Sequence, residues 1–453
     1  MPPAASPGFI RLLRQRGAGI LLGAVALPLA AAPLPTGRAA WPIAPDLTVA
    51  ADGSGNFKTI QAALESIPAG NHERRIIFVK DGVYHEKIRI DAACVTLLGE
   101  SRAGTRLEYA QGTEEFRRQP DALGTAVVNI NGDDCVLANL TVRNTHGVVG
   151  VHAFAVYGRA DRTVIEDCDV LSEGNDTLSL WDREGGRYYH ARLNIRGSVD
   201  FVCPRGWCYM TDCNLEEANP RAEAMIWHDG SKDRAMKFVL RGCKFDGVAG
   251  WRLGRHHHDA QFYLLDCTFS NRMLDVPPRR VVYPLGGRPA TDDDRKRNRD
   301  LDATNVWGER AYFFDCHRDG GDFAWFGDNL AAAPGAPTPA QITAAWTFGG
   351  TWDPERVAGP VIRSVEENGA LLTVTFSEPV TVKGRPELRL VSGDAAPYAG
   401  GSGTPVLTFQ VPAGATGAVT ASVPSPGGTI IACQASAALR VADVTLPQNQ
   451  SAP

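Results

Sequence analysis

Val164-Ile165-Glu166-Asp167-Cys168, Tyr209-Met210-Thr211-Asp212-Cys213, Val239-Leu240-Arg241-Gly242-Cys243, Leu264-Leu265-Asp266-Cys267 and Phe313-Phe314-Asp315-Cys316 repeat one pattern: an apolar stretch, a small or acidic residue, then Cys. Hits fall 24 or 30 residues apart between Cys213 and Cys267, and 45 or 49 apart elsewhere, which reads as one coil per hit and two coils per hit respectively. Short β-rich runs at 76–79, 95–98, 126–130 and 136–142, with turn residues between them, fill the region from about 48 to 330. A solenoid of parallel strands follows. Its open end needs a cover, and the stretch 59–66, which has clear helical spacing, is the candidate cap.

The repeated cysteines read as thiols stacked inside successive coils, because Cys is among the most buried residue types. Cys203 and Cys208, with Pro204-Arg205-Gly206-Trp207 between them, stand outside the pattern, and for them a bridge and two free thiols are both open. The 44% hydrophobic and 21% charged composition, with 47 Gly and 30 Pro, fits a globular chain with many turns and excludes a coiled coil or a disordered chain.

Arg11, Arg14 and Arg16 precede an apolar run at 17–34 that ends in small residues, the order of a secretory signal peptide. Pro28 and Pro33 break the run, so export to periplasm or medium is expected rather than a membrane anchor. The formal charge of −5 becomes −9 without the four arginines of residues 1–40, which argues against nucleic-acid binding and against retention of an anionic product. Near residue 357 the composition changes, and alternation such as Leu371-Leu372-Thr373-Val374-Thr375-Phe376 indicates a small Ig-like β-sandwich with no titratable cluster. The expected division is a signal peptide at 1–40, a solenoid domain at 41–357, a sandwich at 358–446 and a disordered tail at 447–453. The mixed charge run at 291–300 reads as a solvated loop.

His152, Asp176 and Asp200 are each 24 residues apart, so a coil of that length places all three on one side, about 5 Å from rung to rung. Two neighbouring, partly buried carboxylates cannot both ionise easily, and the pair separates into a proton donor and an anion.

Ala51-Asp52-Gly53-Ser54-Gly55-Asn56-Phe57-Lys58-Thr59-Ile60-Gln61-Ala62-Ala63 and Val79-Lys80-Asp81-Gly82-Val83-Tyr84-His85-Glu86-Lys87 resemble the N-terminal signature of pectin methylesterases. So do Gly174-Asn175-Asp176-Thr177-Leu178, Ile195-Arg196-Gly197-Ser198-Val199-Asp200-Phe201-Val202 and Leu253-Gly254-Arg255, in the same order along residues 48–355. The resemblance implies an all-β fold, a right-handed parallel β-helix, and hydrolysis of methyl esters on polygalacturonate by a monomer without metal or cofactor. By position it implies that Asp200 is the nucleophile, Asp176 the acid and then base, and Arg255 the cation that holds Asp200. Asn175 and His152 stand where the family has glutamines that hold the oxyanion, and both side chains carry N–H donors. Arg255 is followed by His256-His257-His258 instead of Pro-Trp; adjacent residues on a strand alternate faces, so these histidines do not read as a metal site. Trp227, His228, Tyr189 and His257 are the expected substrate contacts, and of Tyr188, Tyr189, Trp207, Trp227, Trp251 and Trp325 at least two are expected to face the cleft. Two other readings stay open: an esterase for another polysaccharide acyl ester, and a noncatalytic pectin-binding protein.

Overall fold

The structure is a computed structural model and describes residues 44–182, 184–219, 221, 223–229, 233–356, 359–415 and 428–437. The expected signal peptide, the tail at 447–453 and the boundary at 357 and 358 lie outside the described residues.

Each residue before a patterned Cys occupies the left-handed region: Asp167 at φ +53°, Asp212 at +53°, Gly242 at +62°, Asp266 at +55° and Asp315 at +49°. Only Gly, Asp and Asn adopt that conformation readily, so the small-or-acidic position is a corner that turns the chain from one sheet to the next. The Cys after the corner points into the core, and its Sγ–H donates to the carbonyl two residues back at 3.1 to 3.6 Å. All ten cysteines are buried thiols, Cys203 and Cys208 among them.

These corners join three parallel sheets into a β-helix. The first sheet has ten strands, from Leu47–Val49 to Ala311–Phe314, and the second has nine, from Gly82–Tyr84 to His317–Arg318. The third is in two pieces. Ile88–Ile90, Val128–Ile130, Val156–Gly158 and Leu178–Leu180 form one, and Ala224–Trp227, Arg252–His256 and Arg279–Arg280 the other. Single bridges from Leu178 to Val202 and from Val202 to Ile226 join them. The core is a stack of Val, Leu, Ile and Phe inside the coils, each buried side chain contributing about 2 kcal/mol. Helix Ile60–Glu65, capped by Thr59, lays Ile60, Ala63 and Leu64 on the first rungs of that stack, as a cover for the end should.

Three expectations change, and the two-coil reading of the 45-residue interval holds. The run 136–142 is two strands, Val136–Ala138 and Thr141–Asn144, because Asn139 turns the corner at φ +57°. The 45 residues from Cys168 to Cys213 are two coils, with Leu193 on the rung between. The 49 residues from Cys267 to Cys316 are one coil, since Leu265 pairs directly with Phe314 and Thr268 with His317. That coil carries a long excursion, and the charge run within it is helix Asp292–Asp302 rather than a loop. Thr291 accepts from Asp294 N–H while the Asp294 carboxylate accepts from Thr291, a reciprocal cap that starts a helix despite its polar composition.

After residue 359 an antiparallel sheet is built around the long strand Leu371–Gly384. The first half of this strand pairs with Ile362–Asn368 and Thr404–Gln410, and its second half with Gly428–Ala432. The sheet folds over Leu372, Val374, Phe376, Val380, Leu407 and Phe409 as a sandwich or half-barrel. It is tied to the first coils through Arg74, a fully buried arginine whose Nη1 donates to Asp134 O at 2.6 Å and whose Nη2 donates to Cys433 O. Lys383 adds an ion pair to Asp46.

Candidate active site

The break in the third sheet positions two carboxylates. Asp176 lies two residues before Leu178 and Asp200 two before Val202, and Leu178 bridges Val202, so the aspartates occupy equivalent places on adjacent coils, about 4.8 Å apart by strand spacing. Both are left-handed, at φ +58° and +49°, which turns the side chains out of the strand direction. Arg255 comes from two coils further on, opposite Trp227. Its Nε donates to both Asp200 oxygens at 2.9 and 3.1 Å, and its Nη2 donates to Oδ2 at 2.7 Å.

Burial and charge separate the two acids. The Asp176 carboxyl is pushed well above the ordinary carboxyl range by burial and by the Asp200 charge, against the pull of Arg205 and Arg255. Burial also pushes Asp200 up, but the Arg255 charge and hydrogen bonds hold it to about 6. Asp176 is thus the member of the pair that holds a proton more readily and Asp200 the member that ionises more readily, an arrangement suited to acid and nucleophile chemistry.

His152 does not share the rung spacing of the pair. It bridges Asn175, and the next strand pairs Val156 with Leu178, so one additional residue lies between and the even 24-residue interval is a coincidence. Its ring still turns to the site, with Nε2 3.4 Å from Asp176 Oδ2, and burial lowers its pKa so that it is neutral. Asn175 Nδ2 donates to Gly150 O at 3.0 Å, which fixes the amide beside the pair and leaves its second N–H.

The expected substrate contacts divide. Trp227 adjoins the pair, with the Arg255 guanidinium 5.8 Å above its ring, and His257 packs edge-on against it at 4.3 Å. His228 and Tyr189 do not belong there. His228 is fully buried, its Nε2 against Gly206 O and its ring against Phe238 and Phe262, because the residue after Trp227 points into the coil. Tyr189 is on the first sheet, stacked on Tyr209 and donating to Glu355 under the segment that leaves the β-helix. Tyr188 and Trp251 are core, Trp207 holds Lys237, and Trp325 packs on Phe313, so Trp227 alone of the six aromatics adjoins the pair.

Three residues went unassigned in the sequence. Arg205 stacks 3.8 Å over the Trp181 ring and places its charge near Asp176. Trp181 in turn meets Phe154 and Tyr157 edge-on, forming an aromatic ledge next to His152. Asp229, buried, accepts from the N–H groups of His257 and His258 and so holds the turn that follows Arg255. Arg205 was visible only as part of the stretch between Cys203 and Cys208; nothing in a single sequence marks Trp181.

Beside Arg255 lies a hollow of about 180 Å³ lined by Glu223, Arg252, Arg279, Arg280, Val282 and Leu285. Arg280 is paired with Asp302, whereas Arg252 and Arg279 have no ion pair among the described residues. The excursion of the last coil supplies its outer wall: Tyr283 Oη meets His257 Nε2 at 3.0 Å, and Asn305 donates to His257 O at 2.6 Å. Among the described residues no group of three or more His, Cys, Asp or Glu is placed to hold a metal ion.

Gly197 sets the position of Asp200. A methyl group there would fall 2.2 Å from Phe201 Cβ and 2.4 Å from Thr177 Oγ1, so the loop carrying Asp200 must shift. Gly197→Ala is expected to lower kcat about 100-fold, since a displacement near 1 Å costs that much, and steady-state kinetics beside a melting curve checks it.

The fold and site together define a parallel β-helix bearing a buried aspartate pair, one member of which is clamped by arginine. Residues 46–264 match the Pectinesterase family model. The chain is 32% identical over 206 residues to a pectinesterase from Petunia integrifolia, covering 44% of this chain and 53% of that one. It is 30% identical over 208 residues to a probable pectinesterase/pectinesterase inhibitor from Arabidopsis thaliana, covering 45% and 35%. The chain spans about half or less of the length of these curated relatives. A carrot pectin methylesterase shares the fold with a TM-score of 0.54 at 19% identity, over 69% of this chain and 96% of that chain. A pectin methylesterase solved in complex with a hexasaccharide does so with a TM-score of 0.52 at 20% identity, over 69% and 99%.

Proposed function

We propose that the chain hydrolyses methyl esters of galacturonate in pectin, with Asp200 as nucleophile and Asp176 as acid and base. The observation that carries this reading is the placement of two buried aspartates at equivalent points of adjacent coils, with Arg255 clamping only Asp200, so that burial and charge shift the two carboxyls unequally. Asp200 attacks the ester carbonyl carbon; the C–O bond to the methoxy group breaks, and Asp176 gives that oxygen its proton, releasing methanol. Water then attacks the resulting anhydride while Asp176 takes its proton, which frees the galacturonate and restores the Asp200 carboxylate. The second N–H of Asn175 and the His152 ring are the donors at hand for the developing oxyanion.

The arginines of the hollow favour an acidic sugar chain over a neutral acylated one. Although the whole protein is acidic, the surface beside Asp200 is basic, so local rather than net charge governs the fate of the product. On this reading 41–357 is the esterase domain of an exported monomer and 358–446 an accessory sandwich. No helix among the described residues is long and apolar enough to cross a membrane.

The test is methanol release from pectins of graded esterification, run beside acetylated and feruloylated polysaccharides. Release from methylated pectin alone supports the proposal. Turnover of another ester alone, or pectin retention on an affinity gel with no turnover between about pH 5 and pH 9, replaces it.

A further inference from the structure

Cys94 and Cys433 come from opposite ends of the described chain and meet where the C-terminal sheet joins the first coils. Cys94 turns the corner into strand Val95–Gly99 at φ +59°, and Cys433 directly follows strand Gly428–Ala432. Consecutive residues Arg74 and Arg75 donate to the two cysteine carbonyls, which sets the thiols beside each other, and both cysteines are buried, at 6% and 3% exposure.

The surrounding bonds hold the two backbones in place. Arg75 N–H donates to Cys94 O at 2.8 Å, and Arg74, one residue earlier, donates to Cys433 O. Arg74 N–H also donates to Thr381 Oγ1 at 2.6 Å, and that hydroxyl is 3.1 Å from Cys433 Sγ. Ala435 N–H donates to Asp134 Oδ1 at 3.1 Å on the far side.

We propose that Cys94 and Cys433 form a disulfide that staples the C-terminal sheet to the β-helix. The thiol ladder of Cys213, Cys243, Cys267 and Cys316 also has neighbouring sulfurs, but each of those is committed to the carbonyl two residues back, inside a close-packed core. Neither Cys94 nor Cys433 makes that bond. The ladder thiols Cys213, Cys243 and Cys267 are pushed well up by burial, whereas Cys433 is pulled down by the neighbouring Cys94 thiol, with help from Thr381 and Arg74. Cys433 is therefore the first nucleophile. Its thiolate attacks one sulfur of a donor disulfide and expels a donor thiolate. Cys94, on losing its proton, attacks the mixed disulfide at the Cys433 sulfur and expels the second. The two cysteines are oxidised, the donor is reduced, and the two protons go to the donor thiolates.

The experiment uses the full chain folded with glutathione disulfide as donor, then denatured and alkylated without reductant. Of the ten cysteines, eight are expected to take the label, rising to ten after reduction, with a linked peptide pair containing Cys94 and Cys433. Ten labels without reductant, or a linkage within the ladder, overturns the proposal. Reductant is expected to lower the melting temperature of the oxidised wild type by at least about 5 °C, because the bond closes a loop of most of the chain. In Cys433→Ser the melting temperature should not respond to reductant. Equal melting of wild type with and without reductant sinks the stapling role even if the bond forms.

Discussion

Asp200→Asn is expected to reduce methanol release by about 10⁴-fold or more while the protein melts within a few degrees of wild type. The substitution suits the position. Asp200 is left-handed at φ +49°, a conformation that Asn tolerates and Ala does not, so Asn avoids a backbone penalty of about 1 kcal/mol. The Asn oxygen still accepts from Arg255, and the burial of the site is unchanged. What is lost is the anion to which the proposed mechanism assigns the attack on the ester. Retention of activity within about 10-fold of wild type overturns the assigned nucleophile.

Arg255→Ala is the second large effect, and its signature is in pH. Burial raises the Asp200 carboxyl from its ordinary 3.8 to about 6 with the arginine present. Charge-assisted hydrogen bonds are each worth about 2 kcal/mol, so their loss moves the carboxyl up by at least about 1 unit, and the rising limb of activity shifts to alkaline pH by the same amount. Stability follows the same linkage. A carboxyl whose folded pKa exceeds its unfolded one adds stability that is complete below about 4 and lost as pH rises through the folded value. In wild type that loss falls between about 4 and about 6; in the variant it continues higher. Arg255→Ala should therefore match wild type more closely near pH 4 than near pH 8, where about 3 kcal/mol is lost because the partner of a buried charge is gone. Urea titrations at the two pH values check this, and an equal loss at both assigns the arginine a packing role.

The residues that were legible in sequence are those where geometry restricts chemistry. A left-handed corner admits few side chains, so the pair of Asp or Gly with Cys marks most coils at sight, whereas the corner at Arg192 and Leu193 passes unmarked. The spacing of Asp176 and Asp200 was readable because one coil of 24 residues separates them, and that same interval misled at His152, where an additional residue intervenes. Inside and outside alternate along any strand, but nothing local states which of three sheets a strand joins. Tyr189 and His228 were misplaced for that reason, one on the wrong sheet and one on the wrong side. Trp181 and Arg205 come together across a coil, through a contact no short window contains. Helix Asp292–Asp302 has almost no apolar face, and its start depends on a reciprocal cap that composition conceals.

The last coil shows where this architecture accepts new material. Leu265 and Phe314 are adjacent strand partners although 49 residues separate Cys267 from Cys316, so an insertion of that length leaves the rungs in register. Apart from Arg279–Arg280, which pair with Arg255 and His256, its sequence can change without displacing the aspartate pair, which is fixed by other coils. Segments exchanged on either side of Arg279–Arg280, between Phe269 and Ala311, would rebuild the wall beside Arg255 while the aspartate pair stays where it is, so this margin can take a different surface without refolding the coils.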